Sequence, residues 1–188
     1  RFGGVDDLVT LMGTSGAKWY RSAVEDLRSG PNGLIDPDDV VLIKINAQWP
    51  ERGGTNTDVL RGLIRVVVDH PDGFIGEVIV ADNGQSYGNL NRALNNAEDP
   101  GQSVLDVVND VRAEGWSVSA QLWDSLRASP VGEYAEGDSK SGYVVNNAAD
   151  PETEIKVSYP KFQSAFGTHV SYKHGIWSSQ NGSYDPSK

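Results

Sequence analysis

The chain has 188 residues, 38% of them hydrophobic, which is enough to bury one core without cross-links. It contains no cysteine, which excludes disulfides, a cysteine nucleophile, iron–sulfur clusters held by this chain and zinc sites built on thiolates. With 16 lysines and arginines against 26 aspartates and glutamates, the net charge is -10, so the chain repels phosphate backbones and we expect no nucleic-acid partner. Its apolar runs are far shorter than the roughly 18 residues of a membrane span.

Hydrophobic periodicity predicts helices and strands that alternate along the first two thirds of the chain. Amphipathic helices are predicted at residues 5–12, 17–27, 57–69 and 103–114. Strands are predicted at residues 40–46, 76–82 and 116–123. Strands joined through helices form parallel sheets by right-handed crossovers. The pattern therefore predicts an α/β fold, with a mostly parallel, Rossmann-like sheet and helices on both faces.

The last third of the chain has a different composition. Residues 127–150 are rich in Gly, Ser, Asn and Ala, which predicts a surface excursion with one short strand at residues 143–145. Two further strands are predicted at residues 154–159 and 168–174, so we expect an irregular, β-rich C-terminal extension. No segment is low enough in complexity to be a linker between two independent cores, so we treat residues 1–188 as a single domain.

Polar side chains follow the first two core strands, at the edge where open parallel sheets bind their ligands. Lys44 and Asn46 end the first strand, and Asp82 and Asn83 end the second. A lysine inside an aliphatic strand is costly to bury unless an anion or a carboxylate pairs with it. We expect a ligand or Asp82 to be that partner, and an internal ion pair explains the pattern as well as a ligand role does. Asp82 either pairs with Lys44 or transfers protons.

A glycine pair leads into the helix at residue 57. Gly53 and Gly54 let the backbone approach a neighbour closely, and Thr55 or Thr57 can cap the helix, whose N–H groups favour an anion. A plain Gly-Gly turn with a threonine cap is the alternative. The leading prediction is a small anionic ligand, with Lys44 and Asp82 as candidate catalytic residues. The candidate ligand-binding residues are Asn46, Gly53, Gly54, Thr55, Asp58 and Asn83.

The sequence also offers a hydrolase motif. Residues 84–88 spell G-x-S-x-G after a predicted strand, which would make Ser86 a nucleophile with His169 or His174 as its base. A turn rich in Gly, Asn and Ser explains the same letters. The two histidines are five positions apart and so cannot chelate one ion from a strand or a helix, and we expect no metal site.

Four segments resemble the domain of unknown function 362 family, over most of residues 38–177. They are VLIKIN (41–46), TNTDVLRGLI (55–64), GEVIVADNGQ (76–85) and SYPKFQSAFGTHVSYKHGIW (158–177). The resemblance implies functional weight at Lys44, Asn46, Thr55, Asp58 and Asp82. Family members often occur beside ferredoxin-type iron–sulfur modules or with export signals, so the resemblance implies a redox-associated protein. It does not identify a cofactor, and without cysteines this chain carries no iron–sulfur module itself.

A second hypothesis is that of a non-catalytic, exported binding or assembly module that a partner surface completes. Family chains continue beyond the equivalent of Trp177, which implies that this chain is the amino-terminal part of a longer protein or is completed by a partner chain. The Gly-, Asn- and Ser-rich composition without cysteine also favours export, to the periplasm or outside the cell, over the cytoplasm. The tryptophans that would then anchor an interface are Trp49, Trp116, Trp123 and Trp177.

Overall fold

A computed structural model describes residues 3–50, 53–93, 95–126, 129–132, 140–145, 158–171 and 175–178. Its helices and parallel strands confirm the predicted α/β class. The described helices are α1 (Gly3–Thr14), α2 (Thr57–Val68) and α3 (Val104–Ala113). The described strands are β1 (Tyr20–Arg21), β2 (Ser29–Gly30), β3 (Val40–Lys44), β4 (Glu77–Asp82), β5 (Val118–Leu122), β6 (Pro130–Val131), β7 (Gly142–Val145), β8 (Ser158–Gln163), β9 (Thr168–Ser171) and β10 (Gly175–Ser178).

The central sheet has the strand order β3-β4-β5, and both strand pairs are parallel. β4 lies in the middle and all six of its residues are buried, as its aliphatic composition predicts. Lys44 is in register with Ala81, and Asp82 is in register with Leu122. The predicted parallel pairing of the first two core strands is therefore confirmed, and their carboxyl ends meet at one edge.

The helices that connect these strands share one face of the sheet. α2 and α3 contact each other, and both contribute to one apolar cluster with the sheet. That cluster includes Leu60, Ile64, Val78, Val80 and Val107. α1 packs on α2 rather than across the sheet. The predicted helices on both faces are not confirmed, because strands laid side by side in chain order with crossovers of one hand keep their helices on one side.

α3 begins as the sequence predicts. The Ser103 side chain accepts a hydrogen bond from the Asp106 amide at 3.1 Å, and the Asp106 carboxylate accepts one from the Ser103 amide at 2.8 Å. This reciprocal arrangement is a capping box in which aspartate takes the place of the usual glutamate.

The predicted helix at residues 17–27 is wrong. The segment contains β1, which pairs in parallel with β2, and it is otherwise irregular. Short polar side chains bind the local backbone here and compete with helical hydrogen bonds. Ser22 Oγ accepts from the Val24 amide at 3.0 Å, and Asp26 Oδ1 accepts from the amides of Arg28 and Ser29 at 2.7 and 2.6 Å.

The expected irregular extension is a regular sheet in its described part, with the strand order β10-β9-β8-β7-β6. β7, β8, β9 and β10 pair antiparallel, and β6 pairs with β7 in parallel. Parts of the predicted excursion and of the strands at 154–159 and 168–174 lie outside the described residues. Trp123 and Phe162 join this sheet to the end of β5, with ring centroids 6.3 Å apart.

No helix among the described residues combines the length and the apolar character needed to cross a bilayer.

Candidate functional site

Lys44 and Asp82 form an ion pair at the carboxyl edge of the central sheet. Lys44 Nζ lies 2.5 Å from Asp82 Oδ1 and also donates to the carbonyl of Ile45. The two partners differ in environment, since the Asp82 side chain is 3% exposed and that of Lys44 is 51% exposed. The structure thus confirms Asp82 as the protein partner that we predicted for this lysine.

The second oxygen of Asp82 holds the backbone of two loops. Asp82 Oδ2 accepts hydrogen bonds from the amides of Ala47 and Gly84, each at 3.0 Å. Burial raises the pKa of Asp82, but the hydrogen bonds from Lys44, Ala47 and Gly84 outweigh burial and hold this pKa below its ordinary value. A carboxylate that stays ionised and uses both oxygens positions its neighbours, which favours the pairing role of Asp82 over proton transfer.

Asn46 closes the loop that follows β3. Its side chain donates to the Gly53 carbonyl at 2.8 Å and accepts from the Gln48 amide at 3.1 Å. Its own amide donates to Thr55 Oγ1 at 2.8 Å, and its carbonyl accepts from the Thr55 amide at 2.9 Å. Asn46, Gly53 and Thr55 were predicted to bind a ligand, and in the structure they fix the shape of this loop.

The glycine pair makes room for Trp49. A Cβ at Gly53 would lie 2.5 Å from the Trp49 Cβ, and a Cβ at Gly54 would lie 2.6 Å from the Trp49 carbonyl oxygen. The predicted close approach is therefore confirmed, but the neighbour belongs to the same loop. Trp49 is 55% exposed at the loop surface.

The amino terminus of α2 is already capped by protein groups. Asn56 is the N-cap, and its side chain accepts from the amides of Asp58 and Val59 at 2.9 and 3.1 Å. The Thr57 amide donates to Asn95 Oδ1 at 3.3 Å. Because these first amides have acceptors, the helix end offers no open anion site. The predicted threonine cap is wrong, since the asparagine between the two threonines takes that position.

A small cleft lies between the loop after β3 and the segment that follows β4. Its volume is about 20 Å³, and its lining includes Trp49 and Arg92. Arg92 is half-buried, and its guanidinium donates to the carbonyls of Gln48 at 2.5 Å and Tyr87 at 3.0 Å. Arg92 forms no ion pair within the part of the chain that the structure describes.

The predicted site residues fall into separate groups. Asn46, Gly54 and Thr55 line the cleft, whereas Lys44, Asp82 and Asn83 do not. Gly53 packs against Trp49 and does not line the cleft. The Asp58 carboxylate accepts a hydrogen bond from the Glu98 amide at 2.7 Å. Arg92 was missed because the Asn-rich segment around it has no hydrophobic period, so a lone arginine there gives no sequence signal.

The turn that carries Ser86 differs from a nucleophile elbow. Residues Gly84–Ser86 form a short 3-10 turn in which Gln85 has a φ of 45°. A nucleophile elbow leads straight into an α-helix, but no helix occurs in residues 87–93 or 95–103. His169 lies in β9 of the second sheet, and the Ser86 side chain and His174 are outside the described part.

Two of the four tryptophans considered as interface anchors pack within the chain. Trp116 packs against the apolar cluster under the sheet, and Trp123 packs against Phe162. Trp49 is exposed, and the Trp177 side chain lies outside the described residues.

Neither a metal centre nor a relative defines this site. The residues that the structure describes contain no group of three or more histidines, aspartates or glutamates placed to hold a metal ion. The resemblance to the domain of unknown function 362 family stays a prediction. Comparison of the chain with family models, curated proteins and solved structures finds no match.

Proposed function

We propose that the cleft beside Trp49 binds a small anionic molecule and that Arg92 is its charged contact. The observation that supports this most strongly is the state of the Arg92 guanidinium. A guanidinium has five N–H donors, and Arg92 spends two of them on backbone carbonyls. No carboxylate of the described residues neutralises it, and the fork of remaining donors matches a carboxylate or phosphate group.

The size of the cleft and the charge of the chain narrow the ligand. A volume of about 20 Å³ holds about one water molecule, so the enclosed part suits one acidic group rather than a nucleotide. The net charge of -10 repels anions, and it repels multiply charged anions more strongly than monoanions. Salt limits the distance over which this repulsion acts. A monoanion such as a carboxylate is the best match.

Lys44 supplies a second cation at the same edge of the Rossmann-like sheet. An ammonium has three N–H donors, and Lys44 gives two of them to Asp82 and the Ile45 carbonyl. The remaining donor belongs to a side chain that is half-exposed. Lys44 would contact only the part of a ligand that extends beyond the cleft, and Asp82 would hold it in position.

The test measures thermal unfolding with acetate or phosphate at constant ionic strength. At a tenfold excess over Kd, a bound anion stabilises the wild type by about 1.4 kcal/mol. In a chain of this length that raises Tm by about 4 °C. Arg92→Gln should abolish the shift, whereas Arg61→Gln, which removes the surface pair with Asp110, should retain it.

The absence of an anion-dependent shift in the wild type, or an equal shift in Arg92→Gln, refutes the proposal. If Arg92→Gln lowers Tm by itself, Arg92→Lys keeps the charge and should recover part of the shift. Lys44→Met separately tests the rim, since it should weaken only anions that extend past the cleft.

A second candidate function is that of an assembly module completed by a partner chain, and two exposed leucines of α1 support it. Leu8 and Leu11 are 56% and 65% exposed and follow each other on the outer face of that helix. Light scattering tests this candidate. A monomer at high concentration, unchanged by Leu8→Lys, would count against self-association through α1.

A further inference from the structure

The geometry of the cleft points to a carboxylate carried on a six-membered ring with a flat apolar face, as in benzoate or a uronic acid. This inference rests on the anion-binding function proposed above and extends it to a ligand class. Trp49 lines the same cleft as Arg92 and is 55% exposed, so one cleft contains an exposed aromatic residue and a guanidinium that no described carboxylate neutralises.

The loop after β3 that carries Trp49 is closed by hydrogen bonds of its own backbone and side chains. Asn46 closes the loop at both ends, and the missing Cβ of Gly53 leaves room for the Trp49 Cβ. An indole left in water forgoes the burial that stabilises aromatic side chains in cores. A braced loop that nevertheless presents one beside a cation fits a site that stacks a ring.

The residues around Trp49 provide apolar surface for the ring of such a ligand and hydrogen-bond donors for its carboxylate. Pro50 and Ala93 add apolar surface to the cleft, and Arg92 supplies donors for an acidic group. Arg92 also binds the backbone carbonyl of Tyr87, which holds the guanidinium in place at the cleft. Acetate would use Arg92 alone, whereas a ring would add stacking on Trp49 that is worth roughly tenfold in affinity.

The experiment titrates acetate, benzoate and glucuronate into the purified chain by calorimetry at constant ionic strength. We expect benzoate or glucuronate to bind the wild type roughly tenfold more tightly than acetate. Trp49→Leu should bring that ratio close to one, and Trp49→Phe, which keeps a ring, should retain most of it. The control is Ile75→Ala, an exposed apolar residue at the other end of β4, which should leave the ratio unchanged.

The outcomes separate this inference from the proposed function. If all three acids bind equally, or if Trp49→Leu keeps the wild-type ratio, the ring preference is refuted while the Arg92 site stands. If none of the three binds, both proposals fall. A preference for benzoate supports an aromatic ligand, and a preference for glucuronate supports an acidic sugar.

Discussion

Removal of the Asp82 carboxylate should destabilise the chain far more than removal of its lysine partner. Asp82→Ala leaves the buried amides of Ala47 and Gly84 without their acceptor, at about 1–3 kcal/mol each. It also leaves the Lys44 ammonium without its carboxylate, which adds less than about 1 kcal/mol because that side chain is 51% exposed to water. The two amides account for most of an expected loss of about 4 kcal/mol in the free energy of unfolding.

Lys44→Met should cost about 1–2 kcal/mol, because Asp82 then keeps both amide donors. Urea denaturation of both variants measures the difference. The matched control is Asp110→Ala, which breaks an exposed pair with Arg61 and should cost less than about 1 kcal/mol. If Lys44→Met proves as destabilising as Asp82→Ala, or if Asp82→Ala costs no more than the control, the buried carboxylate is not the group that organises this edge.

Three further predictions concern pH, a glycine and a buried carboxylate. The stabilisation from Asp82 should be complete above its ordinary pKa of 3.8 and be lost as pH falls through its lower folded pKa, so the stability gap between wild type and Asp82→Asn should narrow in acid titrations monitored by circular dichroism. Gly54→Ala should destabilise by about 1–3 kcal/mol in urea denaturation and alter Trp49 fluorescence, because the added Cβ meets a backbone oxygen; unchanged emission would contradict this. Ser119→Ala should cost about 1–3 kcal/mol in the free energy of unfolding, because it removes the hydrogen bond that Ser119 donates to the buried Glu77. Adding Glu77→Leu should recover most of that loss, because no buried carboxylate is then left without its donor. A double variant as unstable as the single one would disprove the reasoning.

The parts of the fold that the sequence predicts are those set by local or strongly patterned interactions. The aliphatic runs of β3 and β4 identify parallel strands, and the spacing of Ser103 and Asp106 identifies a capping box. The burial that such a run predicts is found in β4 but not in β3, an edge strand in which only Ile43 is buried. The pairing of Lys44 with Asp82 also follows, because two parallel strands that end at one edge bring the lysine beside the buried carboxylate.

The parts that sequence reasoning misses depend on contacts between distant segments. Asn95 binds the amide of Thr57 across 38 positions, and Arg92 reaches the Gln48 carbonyl across 44. Neither segment has a hydrophobic period that would indicate such contacts. The error at residues 17–27 has a local cause instead. The spacing of apolar residues there matches a helix, but hydrogen bonds from nearby side chains to the backbone favour an irregular segment.

The Arg92 guanidinium links the loops after β3 and β4 through the carbonyls of Gln48 and Tyr87. The guanidinium that joins the two loops is also the group that we propose as the ligand contact. A ligand that accepts hydrogen bonds only from the remaining N–H groups leaves both carbonyl contacts intact. Such a ligand should slow amide exchange in both loops together. A ligand that instead takes the N–H groups now bound to the two carbonyls should separate the loops and speed up their amide exchange. The sign of the change in exchange rate therefore distinguishes these two modes of binding.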